Sequence, residues 1–219
     1  RALGAARVEL LRGPAFDDAL EGEFDLLAGA TVPLPGGGRL SVHPTPALTA
    51  IDVDQGGAAG DPLGFNQRAV AEAARQIRLR NLAGAILLDI AGLAAKAREA
   101  LAAPLAAALA ADPLRPELLG LTRLGLFEIR RTRIHPPLHD VLGWPPSALT
   151  HGLAALRRAA REAAAAPGAA LALRAAPGVI AALEGLEGAL AAFSAGAGRP
   201  LLLRPEPGLT PGEERLEPA

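Results

Sequence analysis

The chain has 219 residues, enough for one large or two small domains, and half of them are apolar, so a buried core is within reach. A formal net charge of -1 gives no global field that attracts nucleic acid, so any RNA contact must rest on a local basic patch. Cysteine is absent, which excludes a disulfide, a thiolate zinc site and a catalytic thiol. Lys96 is the only lysine, and with the heavy use of Ala, Gly, Pro and Arg this reads as GC-rich coding bias. The counts of Ala and Arg are therefore not functional signals. No uncharged apolar run reaches the roughly eighteen residues of a membrane span, so a cytoplasmic protein without membrane contact is expected. Arg1-Ala2-Leu3-Gly4 opens no hydrophobic leader, and a first residue other than Met suggests a processed or truncated piece.

Residues 6–13 can form a strand. Phe16, Leu20 and Phe24 then recur on one helical face, with Asp17, Asp18, Glu21 and Glu23 toward solvent. Thr31–Val42 reads as two strands around Pro35-Gly36-Gly37-Gly38. No helix follows that turn, so a plain hairpin is expected rather than a phosphate cradle.

Ala47–Asp54 is an apolar, β-branched run that ends in Asp52, Asp54 and glycines, the pattern of a buried strand carrying carboxylates into a turn. After the loop Gly56–Gly60 comes a helix over Leu63–Leu79, with Val70, Ala73, Ala74 and Ile77 as its apolar stripe. Ala85–Asp89 is a second buried strand delivering one acid at its end. The resulting β-α-β unit implies parallel pairing, which puts both strand ends on one sheet edge and brings Asp52 and Asp89 together. Converging carboxylates of this kind form a hard oxygen site suited to Mg²⁺, with Asp54 nearby. Taken alone, Asp52 and Asp54 could equally cap turns. Arg75, Arg78 and Arg80 at the end of the helix either complement its dipole or contact phosphate.

Leu93–Ala111 is an alanine-rich helix with an interruption or a kink expected at Pro104. Leu118–Thr122 and Leu126–Arg131 read as strands. Arg123, Arg130, Arg131 and Arg133 form either a solvated edge or a phosphate track. Ile134–Ser147, with Pro136-Pro137 and Pro145-Pro146, reads as a linker, with Trp144 as its packing anchor. His135 and His139 flank two prolines that forbid a regular helix, so no metal role is expected of them. Residues 148–219 read as a smaller α/β domain: helix Leu149–Ala166, strand Ala170–Leu173, helix Val179–Phe193 weakened by Gly185 and Gly188, strand Leu201–Arg204, and an acidic, proline-rich tail expected to fray.

The segments Leu34–Gly38, Ala47–Val53, Ala74–Gly84, Ile86–Asp89 and Leu121–Ile129, in this order and spacing, resemble the ribonuclease E/G family through about residue 133. The resemblance implies a DNase I-like mixed sheet with helices over residues 1–133, a proline-rich linker over 134–147 and a small α/β domain over 148–219. It implies Asp52 and Asp89 as the Mg²⁺-binding catalytic aspartates, with Asp54 where the family usually has Asn. Asn66 stands where the family also has Asn, and Arg115 falls near a position linked to recognition of a 5′-monophosphate. The acid usually found three residues after the strand-end aspartate is Gly92 here. The family's OB-fold RNA-binding domain, its 5′-sensor region and its zinc-linking cysteines have no counterpart in this sequence, so any homo-oligomer would form without the zinc link.

The function so implied is Mg²⁺-dependent endoribonuclease cleavage of single-stranded RNA in RNA processing or decay, leaving 5′-phosphate ends. Asn66, Arg78, Arg80, Arg115, Arg123 and Arg130 are the candidate substrate contacts. Two alternatives stand beside it: a catalytically weak or inactive RNA-binding relative, and an α/β protein that binds a phosphate metabolite through a metal.

Overall fold

The computed structural model describes residues 17–57 and 60–219, so the strand expected over 6–13 lies outside the described residues. Two units emerge, one of Phe24–Pro145 and one of Arg1–Glu23 with Pro146–Ala219. The order of elements is α1 (Asp18–Ala28), β1 (Thr31–Pro33), β2 (Arg39–Pro44), β3 (Thr49–Asp54), α2 (Pro62–Leu79), β4 (Gly84–Asp89), α3 (Ala95–Glu99), α4 (Ala102–Leu109), β5 (Glu117–Leu121), β6 (Phe127–Arg131) and α5 (Leu138–Leu142). The second unit continues with α6 (Ala148–Ala165), β7 (Leu171–Ala175), α7 (Pro177–Glu184), α8 (Ala189–Ala197), β8 (Leu202–Pro205) and β9 (Arg215–Pro218). The fold is α/β.

In the first unit, six strands form a mixed sheet in the order β1-β2-β3-β4-β6-β5. Only β3 and β4 are parallel neighbours in it; the other pairs are antiparallel. That single parallel pair is the one joined through α2, as a β-α-β connection requires. Strand residues alternate between two faces of the sheet. Leu40, Val42, Ile51, Ile86, Leu88 and Phe127 lie on the core face and are essentially inaccessible. Val70, Ala73 and Ile77 of α2 and Leu105 and Leu109 of α4 complete that core. Each fully buried branched or aromatic side chain contributes about 1.5–3 kcal/mol.

Helix α2 starts cleanly because Asp61 caps it, accepting hydrogen bonds from the Leu63 and Gly64 N–H groups, with Pro62 at the first helical position. The hairpin between β1 and β2 is closed by Leu34–Gly38 backbone bonds. Gly38 has φ +77°, and a Cβ there would lie 2.6 Å from the Asp54 carbonyl oxygen and 2.9 Å from Phe65. Only glycine lets the hairpin approach the end of β3 this closely.

The stretch Leu93–Ala111 forms two helices, α3 and α4, so the expected helix is interrupted, with the break just before Pro104. Pro104 sits in the first turn of α4, where its missing N–H would have had no partner in any case. Several other expectations are corrected. The stretch read as a linker carries α5, whose Leu138 N–H bonds the Arg80 carbonyl, and His139 packs edge-on against Trp144. Burial of His139 holds its imidazole below the usual histidine range.

In the second unit, β7 is the centre of a three-stranded sheet, parallel to β8 and antiparallel to β9. The tail therefore does not fray: Arg215–Pro218 pair with Leu171–Arg174. The helix expected over Val179–Phe193 breaks at the glycines into α7 and α8. The acidic face of α1 is not free of partners either. Glu21 is 5% exposed and accepts from Arg157 and Arg161 of α6. Arg157's hydrogen bond is the main reason its carboxyl lies below the usual range, against the opposing effect of burial.

Among the described residues no single helix is long and apolar enough to cross a membrane.

Candidate functional site

The register of β3 against β4 sets Asp52 directly opposite Asp89. Burial alternates along both strands, so Ile51, Val53 and Leu88 point into the core while Asp52 and Asp89 share the other, open face. Neighbouring strands lie about 4.8 Å apart, close enough for two carboxylates to bracket one small cation. Ser41 of β2 stands opposite Asp52 in the next strand, so Ser41, Asp52 and Asp89 form a row across three strands.

The two aspartates differ in what they touch. Asp52 is exposed, and among the described residues no hydrogen bond or ion pair is found on its carboxylate. Asp89 accepts at Oδ1 from Arg98 Nη1 at 2.9 Å, and its side chain is 49% exposed. Asp54 lies two residues past Asp52 on the same face, but both its oxygens are engaged. Oδ1 caps the turn by accepting the Gly56 N–H at 2.8 Å, and Oδ2 meets Arg39 at 2.7 Å. The expected three-acid cluster is thus corrected to a pair. Among the described residues no three His, Cys, Asp or Glu side chains gather closely enough to hold a metal ion. The capping role weighed for Asp52 and Asp54 holds for Asp54 alone.

The pair suits Mg²⁺ by its donor chemistry. Mg²⁺ is commonly held by one or two carboxylates, with water and phosphate oxygens filling the remaining positions. The exposed carboxylate of Asp52 and the second oxygen of Asp89 supply hard donors of that kind.

The structure separates the candidate substrate contacts. Arg123 lies exposed in the β5–β6 turn, at the sheet edge where β4 ends in Asp89. Arg130 shares the open face but pairs with Ala85 near the start of β4. Four residues of strand, roughly 13 Å, separate it from Asp89. Arg130 also holds Glu117 at 2.7 Å. Arg115, exposed with φ +46°, precedes β5 at that same distant edge. Arg78 ends α2 there too, because the helix runs back against the strands. Neither Arg78, Arg115 nor Arg130 sits beside the acid pair.

Two candidates are overturned as contacts. Arg80 is 3% exposed, and its guanidinium donates to Gln76 Oε1 and to the carbonyls of Gly29 and Leu26. Burial pulls its pKa down to about 10, still charged at neutral pH. It ties the end of α1 to α2, and its burial keeps the guanidinium away from any phosphate at the surface. Asn66 is fully buried, and its Nδ2 donates to the Pro62 and Ala91 carbonyls. It fastens α2 to the segment just after Asp89 and so supports the site from behind. Its Oδ1 is left without a partner.

Arg98 is the residue that the strand-end pattern missed. It follows Asp89 by nine positions, at the end of α3, and folds back to reach Asp89 Oδ1, the Leu93 carbonyl and the Gly125 carbonyl. A short amphipathic stretch with one arginine gives no local sign of such a return.

The profile of the Ribonuclease E/G family matches residues 5–134, which include the whole six-stranded sheet and both aspartates. The chain is 39% identical over 120 residues to Ribonuclease E of Nostoc sp., covering 51% of this chain and 17% of that protein. It is 32% identical over 146 residues to Ribonuclease E of Escherichia coli, covering 62% and 14%. Against Ribonuclease G of Escherichia coli it is 33% identical over 139 residues, covering 60% and 28%. The chain thus spans less than a third of each of these relatives. With the match running through the sheet that carries Asp52 and Asp89, the chain belongs to the ribonuclease E/G family.

Proposed function

We propose that the chain is an Mg²⁺-dependent endoribonuclease that hydrolyses phosphodiester bonds of single-stranded RNA and leaves 5′-phosphate ends. The observation that carries this is the pairing of Asp52 with Asp89 on one open face, inside the family-matched region. The relatives named above are ribonucleases, which supports RNA as the substrate class.

Asp52 and Asp89 would hold Mg²⁺. The ion, when bound, supplies Lewis-acid stabilisation of the phosphate's developing charge and a water of lowered pKa. The chain's own contribution is placement. Strand register sets the two carboxylates side by side. Asn66 fastens the backbone just beyond Asp89, and Arg98 fixes which Asp89 oxygen faces outward. Arg123, exposed at the same sheet edge, is the candidate for holding a neighbouring phosphate of the strand. Arg78, Arg115 and Arg130 would act only on a longer RNA that reaches the far edge.

A second reading, an RNA-binding relative with little activity, is favoured by one observation. Asp89 and Asp54 already carry arginine partners, which lowers the negative charge available to a metal. The deciding experiment is incubation of a labelled, unstructured RNA with the full chain, with mapping of product ends. The expected result is Mg²⁺-dependent cleavage to 5′-phosphate and 3′-hydroxyl ends, lost in Asp52→Asn. Cyclic phosphate ends, or cleavage that persists with chelator, would overturn the proposal. Retention of RNA without cleavage would establish the second reading.

A further inference from the structure

Arg98 is held in place independently of the carboxylate it contacts. Its Nε donates to the Leu93 carbonyl at 3.0 Å, and its Nη1 donates to the Gly125 carbonyl at 2.9 Å as well as to Asp89. The side chain is 18% exposed, against 49% for Asp89. Its stem lies over the β5–β6 turn: a Cβ built on Gly125 would sit 3.5 Å from Arg98 Cδ. Two backbone carbonyls and this packing leave the guanidinium no low-energy way to follow Asp89 elsewhere. Other charged groups on this part of the face include Asp52, the exposed Asp54–Arg39 pair, Glu128 of β6 opposite Leu87, and Arg123 in the β5–β6 turn.

We propose that Arg98 is a positioning residue with a second effect: it turns Asp89 into a one-oxygen donor and keeps the aspartate pair from taking up a divalent cation unaided. The cation is then bound firmly only together with a phosphate group of the substrate. This rests on the metal-dependent reading above. The physical argument is electrostatic. A fixed positive charge about 5 Å from a dication opposes its entry, and at a half-exposed site this weakens binding about tenfold or more. An arriving phosphate brings negative charge that offsets the arginine, so metal and substrate strengthen each other's binding by the same factor.

The test uses Mn²⁺ as probe, titrated against the full chain and followed by electron paramagnetic resonance of the free ion. Wild type is compared with Arg98→Gln and Arg98→Lys, each with and without Asp52→Asn. Arg98→Gln is expected to bind Mn²⁺ about tenfold or more tightly than wild type, and Arg98→Lys to stay near wild type. Adding a 2′-O-methyl oligoribonucleotide, which resists cleavage, should raise wild-type Mn²⁺ affinity by a larger factor than that of Arg98→Gln. If Arg98→Gln does not fold, Arg98→Met keeps the apolar stem over Gly125 and gives the same comparison. Mn²⁺ affinity of the neutral variant equal to or below wild type, with Asp52→Asn abolishing binding in both, overturns the role of Arg98 alone. Binding that is indifferent to Asp52→Asn overturns the metal pair and the functional reading with it.

Discussion

The two edges of the six-stranded sheet each bring an aspartate to an arginine, with opposite results. At the far edge, Arg131 and Asp112 are 4% and 3% exposed, and the guanidinium also donates to Asn81 Oδ1 and the Leu82 carbonyl. Asp112 receives the Leu114 N–H as well. Burial alone would push the Asp112 carboxyl up; Arg131's hydrogen bond, the Leu114 N–H and the nearby positive charges override it and hold it below the usual range. At the near edge, Arg98 takes one oxygen of Asp89, and Asp52 is left to solvent. The same residue types close a cluster in one place and leave it unfinished in the other. Unspent carboxylate oxygens on an accessible face, rather than the presence of an acid–base pair, are what make the near edge the proposed site.

Substitutions can break this contrast in graded steps. The largest effect belongs to the near edge: Asp52→Asn or Asp89→Asn should lower RNA cleavage about 10²–10⁴-fold, because a metal's charge stabilisation is worth several kcal/mol. Chemical unfolding of Asp52→Asn should meanwhile stay within about 0.5 kcal/mol of wild type, as expected for an exposed side chain. At the far edge the pattern inverts. Arg131→Ala leaves Asp112 buried and unpaired, and urea unfolding should show a loss of about 3–5 kcal/mol.

The same contrast is testable by pH. The folded-state pKa of Asp112 is depressed, so its contribution to stability is complete above the unfolded value, about 3.9, and is lost as pH falls through the lower folded value. Wild type should therefore lose stability across that acid window more steeply than Asp112→Asn; parallel curves would contradict the buried-pair account. The smallest effect is expected at Arg130, whose bond to Glu117 joins two exposed side chains. Arg130→Ala should change stability by less than about 0.5 kcal/mol in urea unfolding.

Much of the near edge is legible from the chain alone. Two apolar runs that each end in aspartate, joined by a helix whose Val70, Ala73, Ala74 and Ile77 repeat at helical spacing, force parallel strands with their acids on one edge. The Pro-Gly-Gly-Gly hairpin is equally readable, since its turn chemistry is local. What escapes is every feature set by a distant partner. Glu21 looks like a solvated helix acid until Arg157 and Arg161 cover it. Arg80 and Arg130 look like a phosphate track with their neighbours. Only the antiparallel pairing of β6 with β4 sends Arg130 away from Asp89, and only the carbonyls of Leu26 and Gly29 reveal that Arg80 is turned inward. The tail of the chain carries acids and prolines, the composition of a loose end, yet β7 offers it a free edge and it pairs there.

The most direct test of the central claim is the rate of single-turnover cleavage of one unstructured RNA across a Mg²⁺ titration, for wild type, Asp52→Asn and Asp89→Asn at matched folded content. The account predicts a saturable rise with Mg²⁺ in wild type and a loss of at least about a hundredfold in both variants. Wild-type rates in either variant would contradict it.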